Sequence, residues 1–222
     1  MKTVSEPDRV KEVISILKKT YPEAKTALRF SSPLELLIAT ILSAQCTDVL
    51  VNKVTEKLFI KYPTAQSYAQ ADLAELEQDI RSTGFFHNKA KNIKACCEHL
   101  ESKFQGEVPS RMEDLTQLPG VGRKTANVVL GNVFDIPALV VDTHVKRVAA
   151  RLGFTRQKDP DKIEQELIKM IPQEEWTQFS HLLIFHGRQI CKAPKPLCPL
   201  CPVAELCPSY GSISLFVHNT PK

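Results

Sequence analysis

Leu118-Pro119-Gly120-Val121-Gly122-Arg123-Lys124-Thr125-Ala126 is the stretch whose reading decides this chain. Helical patterns flank it, Arg111 to Gln117 before and Arg123 to Phe134 after. Pro119 fixes φ and stops the first helix, while Gly120 and Gly122 permit backbone angles closed to other residues. The expected product is a tight turn between two helices, with glycines leaving backbone N–H groups uncovered where the second helix begins. Unsatisfied donors and the positive end of the helix dipole coincide there, which makes an anion site. A nucleic-acid phosphate is the natural guest.

Lys124 stands at the same helix start. The dipole opposes an ammonium there and partial burial would oppose it further, so the free amine is favoured. An uncharged lysine is a nucleophile, which an arginine never is. Taken alone, a basic surface residue beside a phosphate is the commoner reading, and the rest of the chain has to decide between them.

Downstream, the apolar run Ala138-Leu139-Val140-Val141 delivers the chain to Asp142, at the N-cap of a helix from Thr143 to Leu152. By itself Asp142 is most simply a cap, worth about 1 kcal/mol. His144 reads as structural. Further on, Cys191, Cys198, Cys201 and Cys207 form C-x6-C-x2-C-x5-C, four soft ligands within 17 residues, with loops stiffened by proline. Four thiolates suit tetrahedral zinc or a four-iron cluster, and spacing does not separate the two. Either would stiffen a loop too short to build a core. Cys46, Cys96 and Cys97 lie in helical patterns without complementary spacing and read as core residues.

Upstream, Ser5 with Asp8 is a capping-box pattern, and Val10, Val13, Ile14 and Leu17 mark one face of a first helix. Ser32-Pro33-Leu34-Glu35 opens a second, Leu34 to Ala44, apolar nearly all round and therefore central to a core. Thr47 or Asp48 caps a helix to about Lys61, and shorter patterns cover Thr64 to Ala69 and Asp72 to Arg81. Residues 84–88 read as a loop and Lys89 to Phe104 as a basic helix. Two later helices span about Asp161 to Met170 and Glu174 to His186. No segment alternates with period two between hairpin turns, so the fold class is all-α.

With 222 residues the chain has ample core material, and its 24% charged and 43% hydrophobic composition is ordinary for a soluble protein. The net charge of +4 permits an acidic partner without demanding one. Clusters say more: Arg81, Lys89, Lys91 and Lys94 lie close together, as do Arg123, Lys124, Lys146, Arg147 and Arg151. No secretory h-region marks the N-terminus, and the longest apolar run, Leu36 to Ala44, is too short to span a bilayer. The expectation is a cytoplasmic, nucleoid-associated protein, with metal rather than disulfides at the cysteines.

Three signals stand in order: LPGVGRKTA, VDTH at 141–144, and the four-cysteine tail. This combination resembles the endonuclease III family of bifunctional DNA glycosylases in the helix-hairpin-helix superfamily, continuously from about Phe30 to Cys207. The resemblance implies a two-domain helical fold with duplex DNA bound between the domains. One domain is a six-helix segment, 26–135; the other combines 1–25 with 136–222 and holds a [4Fe-4S] cluster on Cys191, Cys198, Cys201 and Cys207. Lys124 matches the nucleophile and Asp142 the catalytic carboxylate. Gln45 matches a residue that fills the space left by a flipped base. Phe85 falls where the family places an apolar wedge, with Phe86 as the alternative if Phe85 packs inward. Gly120, Val121, Gly122 and Arg123 match the phosphate-binding hairpin, and Lys192 with Lys195 a basic loop aimed at DNA. The implied activity is removal of oxidised pyrimidines and strand cleavage by β-elimination, in a monomer with no membrane partner. A mismatch (thymine or uracil) glycosylase of the same superfamily and a non-catalytic DNA-binding module are the competing readings.

Overall fold

A computed structural model describes residues 6–210; Ser5, half of the first capping box, lies outside them. Among the described residues every regular element is helical. The chain divides into two compact units, Thr26–Ile136 and Met1–Lys25 with Pro137–Lys222.

The continuous unit is built around α2, Pro33–Leu42, which packs on α3 (Asp48–Lys61), α6 (Phe86–Phe104) and α8 (Arg123–Val133). The Ser32 hydroxyl accepts from the Glu35 N–H at 3.2 Å, and Glu35 in turn accepts from the Ser31 N–H at 2.6 Å. That start is locally determined, and every residue from Leu36 to Leu42 is then buried. Each large aliphatic among them contributes about 1.5–3 kcal/mol of burial. Thr47 caps α3, a Thr64–Ser67 capping box opens α4 (Ala65–Gln70), and Asp72 caps α5 (Leu73–Asp79).

Two stretches differ from the sequence reading. Of residues 84–88 only Gly84 and Phe85 lie outside a helix: α6 begins at Phe86, preceded by Phe85 in the left-handed region with no side-chain cap. A start made by a backbone angle carries no Ser, Thr, Asp or Asn to announce it. Before the hairpin only Met112–Leu115 is helical (α7). Turn bonds from Gln117 to Asp114 and from Leu118 to Leu115 follow, because a residue preceding proline is pushed out of the helical region.

In the discontinuous unit, α1 (Glu6–Thr20) buries Val10, Val13, Ile14 and Leu17 in a core shared with α9 (Thr143–Arg151), α10 (Pro160–Met170) and α11 (Trp176–Gln189). Cys191, Cys201 and Cys207 pack on the edge of that core. Arg9 binds the α1 face to the tail, donating to the Leu152 carbonyl at 2.7 Å and the Leu206 carbonyl at 3.0 Å.

Candidate active site

The hairpin is anchored by Leu118 and Val121, 2% and 5% exposed. Val121 also gives its N–H to the Leu118 carbonyl, so it holds the turn closed. Gly120 has φ +76°, and a Cβ there would meet Asn92 Cβ at 2.8 Å, so glycine is required twice over. Gly122 differs from the expectation. Its φ of −91° and ψ of 175° are open to any residue, and a Cβ would meet nothing. What glycine supplies at 122 is clearance in front of α8, whose first turn has no side-chain cap. Arg123 and Lys124, its first two residues, are exposed, and the partial burial expected of Lys124 is not found. Behind them Ala126, Asn127, Val129 and Leu130 are buried and hold the helix on the core.

Two turns of the same unit present exposed residues in the left-handed region, Gln45 at φ 53° and Phe85 at φ 50°. Phe85 is 64% exposed. It does not pack inward; Phe86 is the half-buried member of the pair, with Arg81 over its ring at 5.9 Å. Cys46, beside Gln45, is half-buried and lies between helices, whereas Cys96 and Cys97 are core residues as expected.

The basic clusters divide by direction. Lys89 is buried, and its amine donates to the Leu42 carbonyl at 2.8 Å and the Thr83 carbonyl at 2.9 Å. Lys94 bonds the carbonyls of Ala69 and Ala71 at 2.5 and 2.8 Å. In the other unit Arg147 donates to Cys191 O at 3.1 Å and Gly187 O at 3.0 Å, and Arg151 to Lys192 O at 2.8 Å. These four cations are thus spent on main-chain carbonyls, while Arg81, Lys91, Arg123, Lys124 and Lys192 face solvent.

Asp142 caps α9, its Oδ1 accepting from the Val145 N–H at 2.8 Å. The extended run before it is tied to α11, with the Ala138 N–H bonded to Thr177 Oγ1 and the Val140 N–H to Ser180 Oγ. Oδ2 of Asp142 takes no hydrogen bond among the described residues, which leaves one carboxylate oxygen for other work. His144 Nδ1 lies 3.2 Å from the Arg147 guanidinium.

Cys191, Cys198, Cys201 and Cys207 all line one small cavity, together with Val148, Leu152 and Ile190. Arg151 donates to Cys191 Sγ at 3.3 Å, and His186 Nε2 lies 3.6 Å from Cys201 Sγ. Tyr21 OH reaches the other ring nitrogen of His186 at 3.1 Å.

Comparison with known proteins meets this geometry. The family model for HhH-GPD superfamily base excision DNA repair proteins matches residues 38–173. The endonuclease III of Synechocystis sp. is 55% identical over 209 residues, covering 94% of this chain and 95% of that protein. The chain belongs to the endonuclease III family. Among solved structures, a non-covalent endonuclease III–DNA complex superposes with a TM-score of 0.90 at 48% identity, covering 96% of this chain and all of that one. A trapped endonuclease III–DNA covalent intermediate gives 0.89 at 48% identity, covering 94% and 99%.

The [4Fe-4S] cluster implied by the endonuclease III family can be tested against the donor set. Four thiols converge on one cavity. Burial, with the neighbouring cysteines adding to it, pushes Cys201 up to about 11, and burial likewise raises Cys198 and Cys207. Burial of this kind disfavours the thiolate unless a cation compensates it. The donor set, four thiols lining one cavity, fits a group held by four thiolates. Arg151 and His186, which touch its sulfurs, had no signal in spacing; their contacts cross 40 and 15 residues.

Proposed function

We propose that this member of the endonuclease III family is a base-excision DNA glycosylase and AP lyase that removes oxidised pyrimidines from duplex DNA. The observation that carries the reading is Lys124, an exposed amine at the second position of an uncapped, glycine-fronted helix in a chain of this family. A base inside the stack is out of reach, so the damaged nucleotide is flipped out. The lone pair of Lys124 Nζ attacks C1′, the glycosidic bond breaks, and the base leaves with the electron pair and takes a proton. Asp142, through its uncommitted oxygen, stabilises cationic character at the sugar and assists the proton transfers. Displacement leaves an aminal at C1′; the nitrogen loses a proton and the C1′–O4′ bond opens, with O4′ taking a proton. The Schiff base so formed acidifies C2′; loss of that proton expels the 3′ phosphate, and water then frees the lysine.

Gly120, Gly122 and Arg123 hold phosphate, with Val121 fixing the turn. Gln45 enters the space left by the flipped base and Phe85 wedges the stack, its exposure favouring it over Phe86. Cys191, Cys198, Cys201 and Cys207 hold a [4Fe-4S] cluster, which when bound supplies rigidity to the loop that presents Lys192 to DNA. The working units are the helical segment 26–135 and the cluster domain 1–25 with 136–222, in a cytoplasmic monomer.

Borohydride trapping on a duplex containing thymine glycol, with Lys124→Ala alongside, tests the reading. An adduct from the unaltered protein only is expected. An adduct from neither, with cluster absorbance and DNA binding intact, overturns it in favour of a mismatch glycosylase or a binding module; an adduct from both moves the nucleophile to another lysine.

A further inference from the structure

Gln45 and Phe85 belong to turns 40 residues apart in sequence, yet one buried ammonium joins those turns. Leu42, the last residue of α2, lies three positions before Gln45; Thr83, the last of the 3-10 turn Arg81–Thr83, lies two before Phe85. Lys89 Nζ donates to the carbonyls of both, at 2.8 and 2.9 Å, with 5% of the residue exposed. A buried lysine is disfavoured unless its donors are used, and desolvation here pulls its pKa below the usual lysine range. A methionine would fill the same space without that penalty, so the distinctive contribution of the ammonium is to bridge two helix ends that have no bond to each other. Lys94, one turn and a half further along α6, also donates to two carbonyls, Ala69 and Ala71, but both belong to one helix end, that of α4, so it joins no two segments. No exposed left-handed residue adjoins that end.

We propose that Lys89 is a positioning residue that sets the spacing of the Gln45 and Phe85 tips, and through it the discrimination of a damaged site from intact duplex. The inference rests on the reading above that both tips enter DNA. Lys89 touches no substrate; it acts through the two turns whose ends it holds.

The test is equilibrium binding, at fixed salt, to a duplex carrying a tetrahydrofuran abasic analogue and to the same duplex undamaged. Unaltered protein, Lys89→Met and Lys94→Met are compared, each also combined with Phe85→Ala, with unfolding midpoints recorded. In Lys89→Met the preference for the abasic duplex is expected to fall about tenfold or more, about 1.4 kcal/mol. Affinity for undamaged duplex should stay within about twofold, because the hairpin phosphate contacts are untouched. Lys94→Met, which loses two carbonyl bonds at one helix end that adjoins neither tip, should keep the preference. In the Phe85→Ala background Lys89→Met should cost much less, since it acts through that tip. An unchanged preference in Lys89→Met, an equal loss in Lys94→Met, or full additivity with Phe85→Ala overturns the proposal. Should Lys89→Met fail to fold, Lys89→Gln, with two N–H donors on a shorter arm, must show an intermediate preference or the proposal fails. Unaltered protein that neither prefers the abasic duplex nor traps with borohydride defeats the functional reading and this inference together; normal preference and trapping with an unaffected Lys89→Met defeats this inference alone.

Discussion

Gly120 carries a left-handed φ against Asn92 and Gly122 an ordinary extended one facing open space, so alanine has different consequences two residues apart. Gly120→Ala is expected to lower unfolding stability by about 2–4 kcal/mol, from backbone strain plus the clash. Gly122→Ala should be within about 0.5 kcal/mol of neutral in urea unfolding, yet weaken binding to duplex, because on the proposed reading its methyl would stand where a phosphate approaches. Equal stability losses at the two positions would contradict this account of the turn. Asp142→Asn separates cap from chemistry in the same spirit. Asparagine caps as well as aspartate, so the melting midpoint should hold, while single-turnover base release falls by about a hundredfold or more. At this scale the sequence was informative where a role depends on neighbours within one turn, as for Lys124 at a helix start and Asp142 at a cap. It was silent on direction: Lys89 and Lys91 are two residues apart in one basic run, and only packing turns the first inward and leaves the second in water.

Helix starts divide by what makes them. Those of α2, α3, α4, α5, α9 and α10 are made by Ser32, Thr47, Thr64, Asp72, Asp142 and Asp159, each accepting from a first-turn N–H. Such starts are written in the sequence. The start of α6 is made by the left-handed backbone of Phe85, which no side-chain pattern records. That strain predicts a trade between stability and function. Phe85→Gly removes a conformation that costs a non-glycine residue about 1 kcal/mol, and little burial is lost from a side chain so exposed. Unfolding stability should hold or rise by about that amount, while affinity for an abasic duplex falls. A variant that is less stable and binds normally would show that Phe85 serves the fold rather than DNA.

Over the whole molecule, α1 joins the chain from Pro137 onwards in one unit while the segment between forms the other. Cys191, Cys201 and Cys207 pack on the core that α1 completes, and Arg9 of α1 bonds the Leu206 carbonyl beside Cys207. Loss of the proposed cluster should therefore reach α1. In Cys201→Ser, visible absorbance is expected to drop and hydrogen exchange of the α1 amides to quicken, while α2 in the other unit keeps its protection. Uniform acceleration across both helices would refute a cluster-dependent unit.

The sequence by itself determined the all-helical class, most helix starts, the hairpin with its lysine, the capping aspartate and the set of four cysteines. All of these rest on interactions spanning a few residues or on ligand spacing, and the family resemblance turned them into a function. Only the tertiary structure decided which basic residues serve the fold, which of two adjacent phenylalanines is exposed, and which side chains touch the cysteine sulfurs. Those outcomes depend on burial and on contacts between segments such as Leu42 with Lys89 and Arg151 with Cys191. A cation reaching a carbonyl 40 or more residues away leaves no periodicity in the chain, because what orders the pair is the packing of the helices that carry them.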